Sequence, residues 1–198
     1  MSRSFLALTT LANLRRDAHT GSTSEQEINR RCLETLRCPD SHRVKIRLKS
    51  TKDELLRDSY KWILSNEQYY WWRDGDDLSL LWIKGGAGKG KTMMSIGLTE
   101  ELSQNAGRKA AVVYFFCQNA DHELNTVQAV IKGLVSRLIA FDLKLVGILR
   151  SRWSAEKNEY TEDLNRWEAL WDIFLEMLEA YRQVKTTIFV VVDALDEC

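Results

Sequence analysis

The stretch Leu80–Met94, LLWIKGGAGKGKTMM, decides how this chain reads. At its centre, Gly85-Gly86-Ala87-Gly88-Lys89-Gly90-Lys91-Thr92 fits the G-x-x-x-x-G-K-[ST] pattern of a phosphate-binding loop. Glycines remove the Cβ atoms that would stop successive backbone N–H groups from turning toward one anion. A helix beginning near Lys91 adds its free N–H groups and the positive end of its dipole. Lys91 brings a full charge to terminal phosphates, and the Thr92 hydroxyl suits Mg2+. All eight residues, Ala87 and Lys89 included, form the expected nucleotide-binding set, although the side chains of Lys84 and Lys89 stand outside the defining positions and read as solvated or as minor contributors to the local field. The context is the one the mechanism requires. Leu78–Lys84 reads as a short apolar strand, and Thr92–Gln104 as a helix closed by NAGRK.

A phosphate loop by itself hydrolyses nothing; the metal needs a second anchor and the attacking water needs a base. Residues 188–198, IFVVVDALDEC, supply candidates for both. Asp193 is expected at the C-terminal end of a buried strand, where ligands sit in open α/β sheets, holding Mg2+ together with Thr92. Asp196 and Glu197 follow within one turn, placed to orient water or to hold a second metal-shell position, with Glu197 preferred as the base and Lys91 as the charge stabiliser. Taken alone, those two acids would also suit a helix N-terminus for dipole reasons. Ala194 keeps the position beside Asp193 small.

Bulk properties narrow the function. The chain has 198 residues, 28 basic against 28 acidic side chains, and 44% apolar residues, an ordinary composition for a single globular domain. So even a balance gives no general field for nucleic acid or an anionic membrane, and neither is an expected partner. Cys32, Cys38, Cys117 and Cys198 are too few and too scattered for a disulfide framework or a zinc site. Reduced thiols and a cytoplasmic location are expected. No run approaches the ~18 apolar residues of a membrane span. The opening MSRSFLALTTLANLRRDAHTGS is basic and free of acids until Asp17, which leaves a mitochondrial presequence as the alternative to a short helix.

Along the chain, Thr20 to Lys49 reads as polar and mixed, with GSTSEQE as a connector. Thr51 and Glu54 form a capping box ahead of Leu55, Leu56, Tyr60 and Ile63 on one helical face, which ends near SNEQ; YYWW and RDGDD then lead out through a turn. AAVVYFFCQ reads as a buried strand. Val127, Val130, Ile131, Leu134, Val135, Leu138 and Ile139 mark a helix, a second helical piece covers Leu143 to Trp153, and SAEKNEYTED is a charged loop. Trp167, Leu170, Trp171, Phe174, Leu175 and Leu178 mark another helix, with both tryptophans expected in the core. TTIFVVVDA is the last strand. Strands alternating with helices imply an α/β fold with a parallel sheet.

Together, LLWIKGGAGKGKT and FVVVDALDEC resemble the NACHT-type nucleotide-binding domains of the STAND class of P-loop NTPases, in particular the nephrocystin-like group common in fungal NOD-like receptor proteins. TKDELLRDSYKWIL, VYFFCQNADHELNTVQAVIKGLVSRLI and RWEALWDIFLEML extend the resemblance over roughly residues 32–198. It implies an N-terminal segment at 1–31, a helical lead-in at 32–77 and the first part of the NTPase domain at 78–198, ending at the Walker B motif. The implied sheet runs 78–84, a gap for a later strand, 187–193, then 110–117. Continuous pairing of 78–84 with 187–193 would overturn that order.

The resemblance also implies a regulated switch. ADP, with Mg2+, holds a closed form; exchange for ATP (GTP remaining possible) opens it and permits self-association, with slow hydrolysis. An N-terminal effector and C-terminal repeats belong to such proteins, which serve innate and non-self recognition in fungi. Two other readings stand beside this one: a non-catalytic, truncated interaction protein and a P-loop kinase acting on a small molecule. The kinase reading lacks a recognisable arginine-bearing lid.

Overall fold

The computed structural model describes residues 23–51, 56–75, 79–86, 88–105, 110–183 and 187–197, with the side chains of 23, 51, 56–59 and 197 outside that description. Its helices are α1 (Thr23–Leu36), α2 (Ser41–Thr51), α3 (Leu56–Leu64), α4 (Glu67–Asp74), α5 (Lys91–Asn105), α6 (Val127–Phe141), α7 (Val146–Arg150) and α8 (Trp167–Gln183). The strands are β1 (Ala110–Phe116), β2 (Trp153–Ser154), β3 (Glu159–Tyr160) and β4 (Thr187–Asp193). Strand β1 pairs in parallel with β4, Ala110 opposite Thr187 through Phe116 opposite Asp193. The fold is therefore α/β with a small parallel sheet, as the alternation of periods implies.

Residues opposite one another in a parallel pair share a face. Tyr114, Phe116, Val191 and Asp193 thus lie on one side of the sheet and Phe115 and Val192 on the other. Helix α5 covers the first side, shown by the hydrogen bond from Ser95 to Asp193. Helix α6 covers the second so closely that a Cβ at Gly133 would lie 2.3 Å from the Phe115 ring. Helix α2 lies across β1 and α5: His42 Nδ1 is 3.0 Å from the Tyr114 hydroxyl, and Lys49 Nζ donates to Glu100 Oε1 at 2.8 Å. A smaller cluster of Tyr60, Ile63, Tyr69, Met94 and Leu98 joins α3 and α4 to α5, with Leu81 and Ile83 packed against it.

Several expectations need correcting. The connector GSTSEQE is helical from Thr23, in a helix that runs on into the expected helical lead-in, because Cys32 and Leu36 on α1, and Val44 on α2, reach the main core. Sparse apolar residues suffice where one narrow stripe is buried. YYWW lies inside α4, which Asn66 caps by accepting from Gln68 N at 2.9 Å. Residues 143–153 divide into a 3-10 turn at Leu143–Leu145, the short α7 and then β2; the charged loop contains the two-residue β2–β3 pairing. Trp167 and Trp171 are exposed, and the buried stripe of α8 is Leu170, Ile173, Phe174, Met177 and Tyr181. Apolar residues occupy so much of this helix's circumference that periodicity could not choose between adjacent stripes. Val127, placed on the apolar face of α6, is exposed as well.

The expected strand at 78–84 also fails as a strand: its described residues, 79–84, have no ladder partner. They keep a strand's alternation, with Leu81 and Ile83 inward, Leu80 and Trp82 outward. The pairing with 187–193 that would overturn the expected order is absent among the described residues. Strand β4, expected to be buried, is half-exposed along most of its length. The capping-box residue Glu54 and its neighbour Leu55, like Leu78 and the opening segment, lie outside the described residues, as does the Thr51 side chain.

Candidate functional site

The loop turns on two residues. Gly88 has φ +72° and Gly90 has φ +80°, both in the left-handed region. A Cβ at either position would meet nothing within 4 Å. Backbone conformation, rather than lack of space, is therefore what calls for glycine there. Immediately after, Met94 N donates to Gly90 O at 2.9 Å, the first turn of α5. The N–H groups of that turn have no carbonyl behind them and face the loop.

Lys91 closes the loop. Its Nζ donates to the Gly85 carbonyl at 2.7 Å and to the Gly86 carbonyl at 3.2 Å, so the ammonium is held across the loop. Thr92 is half-buried beside it, whereas Lys89 is exposed. Lys84 is exposed too, its ammonium 5.1 Å from the centre of the Trp82 ring. Ala87 lies outside the described residues.

Asp193 is 5% exposed at the end of β4, and its backbone carbonyl accepts from Cys117 N at 3.1 Å. A buried carboxylate requires polar partners; the Ser95 hydroxyl donates to its Oδ1 at 3.0 Å. Ser95 stands one helical turn beyond Lys91 and Thr92 on α5. The structure thereby ties the acidic strand end to the helix that the glycine loop opens. Sequence reasoning missed Ser95; the available signal was its i+3 spacing from Thr92, which puts both hydroxyls on one helix face.

Beyond Asp193 the chain turns sharply. Ala194 takes φ +54°, a conformation costing a residue with a Cβ about 1–2 kcal/mol. That turn leads into a 3-10 segment, Leu195–Glu197. Strain of this kind concentrates at functional sites. Asp196 is exposed and makes no hydrogen bond or ion pair with the loop among the described residues. Glu197's side chain lies outside them.

Among the described residues no three His, Cys, Asp or Glu side chains gather as a metal cage. The donor set instead comprises one buried carboxylate, two hydroxyls and an ammonium beside a helix start. That set fits Mg2+ carried on a nucleotide, which draws most of its ligands from phosphate and water. No described helix is long and apolar enough to cross a membrane.

The model of the Nephrocystin 3, N-terminal family matches residues 58–198. The vegetative incompatibility protein HET-E-1 of Podospora anserina is 38% identical over 167 residues, covering 84% of this chain and 12% of that protein. The chain thus spans about an eighth of the relative's length. No solved structure matches. With the family model spanning both motifs and the interval between them, the chain belongs to the nephrocystin 3 N-terminal family, a nephrocystin-like domain related to fungal NOD-like receptor proteins.

Proposed function

We propose that this chain is the nucleotide-binding module of a signalling switch, a P-loop NTPase domain that takes ATP or ADP, or the guanine equivalents, with Mg2+. One observation carries the reading: the Ser95–Asp193 hydrogen bond, which joins the acidic strand end to the phosphate-loop helix. The bound nucleotide would supply the labile terminal phosphoryl group. Lys91 exchanges the Gly85 and Gly86 carbonyls for phosphate oxygens, trading neutral acceptors for charged ones. Gly85, Gly86, Ala87, Gly88, Lys89 and Gly90 offer backbone N–H groups. Thr92 and Asp193 hold the metal, with Ser95 orienting the carboxylate. Glu197, or Asp196, orients the attacking water.

A switch needs contacts that differ between its states. Only ATP carries a γ-phosphate, so the contacts which that group makes with the loop are the ones that would differ. Exchange of ADP for ATP would then bias a conformational change and self-association, with slow turnover. Domain limits at 31/32 and 77/78, cytoplasmic location and a role in fungal non-self recognition belong to the same proposal, the last supported by the relative's name.

Titration calorimetry with MgATP, MgADP and MgGTP tests the reading. Lys91→Ala should abolish binding, and an unchanged affinity refutes the assignment. Asp193→Asn should weaken Mg2+-dependent binding selectively. Glu197→Gln should spare binding while reducing phosphate release.

A further inference from the structure

Helix α8 carries a second apolar stripe that nothing described covers. Trp167 is 48% exposed, Trp171 40% and Leu175 45%, at i, i+4 and i+8 on one face. The Trp171 ring is held 5.5 Å from that of Phe174, so the stripe has a fixed position. Acids border it. Helix α8 contains Glu168, Asp172, Glu176 and Glu179; Arg166 lies 4.0 Å from Glu168, Arg152 3.1 Å from Glu176 and Arg182 3.3 Å from Glu179, so four acids less three bases leave a net charge of −1. Asp172 has no ion pair among the described residues.

Residues 1–22 have the complementary chemistry. They hold Phe5, Leu6, Leu8, Leu11 and Leu14, with Arg3, Arg15 and Arg16 against Asp17: three bases less one acid, a net charge of +2. Their point of attachment is nearby. Arg150 binds Glu25 at 3.1 Å and Asn29 at 3.0 Å, fixing the start of α1 against α7. Two residues on, Arg152 binds Glu176 at 3.1 Å in the middle of α8. The length suffices: 22 residues extend to about 70 Å, and α8 is only about 25 Å long.

We infer that residues 1–22 dock on the outer face of α8, their leucines and Phe5 over Trp167, Trp171 and Leu175, their arginines against the bordering acids. The proposal is independent of nucleotide binding.

Photo-crosslinking of the full chain tests it, with p-benzoylphenylalanine in place of Phe5 and an equal mixture of heavy- and light-isotope protein. The expected result is a crosslink to residues 167–178 within the same chain. Arg15→Glu with Arg16→Glu should reduce its yield about tenfold, with circular dichroism unchanged. Asp172→Arg with Glu168→Arg on the reversed background should restore it. Crosslinks only between heavy and light copies would assign the stripe to self-association and overturn the proposal. So would crosslinks elsewhere, none at all, or charge reversal without effect.

Discussion

The two paired strands are similar in composition and opposite in circumstance. Strand β1, AAVVYFF, is buried at every position but Val112; β4, TIFVVVD, is buried only at Asp193. What separates them is their flanks. Helices α2, α5 and α6 pack around β1, while β4 has α5 and α8 against it and, among the described residues, no second ladder partner; the segment 79–86 is also unpaired, with Leu80 82% and Trp82 69% exposed. The candidate site lies where these circumstances meet, a buried carboxylate ending a half-exposed strand. A strand edge without a ladder partner is free to accept one. The contrast therefore separates a closely packed flank, centred on β1, from one that is half-exposed up to the buried Asp193 and its Ser95 partner.

The largest break in that contrast should come from the closed flank. Phe115→Ala removes a fully buried ring packed on α6 and should cost ~3–5 kcal/mol in urea denaturation. Gly133→Ala forces a methyl into the same ring and should cost ~1–3 kcal/mol, because the core must yield on one side.

Titration sharpens the picture of that flank. Burial lowers the Lys45 ammonium to about 8, against the opposing pull of Glu100, from 10.5. Between those values the unfolded chain binds more protons, so the Lys45 contribution to stability rises with pH across that window. Below about 8 both states are charged and burial remains a cost. Wild type should therefore gain stability relative to Lys45→Met between pH 8 and 10, measured by denaturation at each pH. No relative gain would mean that water reaches the amine beside Tyr114.

The smallest effect belongs to the open flank. Val190→Thr should change stability by no more than ~0.5 kcal/mol, as at other solvent-facing positions. A loss as large as that of Phe115→Ala would show that β4 is covered in solution and would erase the contrast.

Much of this was legible in the sequence, for identifiable reasons. The loop at 85–92 announces itself because left-handed backbone at Gly88 and Gly90 restricts the residue type, whatever surrounds it. The parallel α/β fold follows from helices of one period lying between strands of another, and α5 and α6 start within a residue of the expected positions. Asp193 was legible as an acid ending an apolar run.

The tertiary structure alone decided the rest. It chose which stripe of α8 faces inward, since two adjacent stripes are both apolar and only packing, chiefly against α6, distinguishes them. It supplied Ser95 as the partner of Asp193, a contact across 98 positions of chain that no local pattern encodes. It also left residues 79–84 without a ladder partner, although their alternation reads as a strand. Alternation records which side chains turn inward, whereas a strand also requires a second backbone to take its hydrogen bonds.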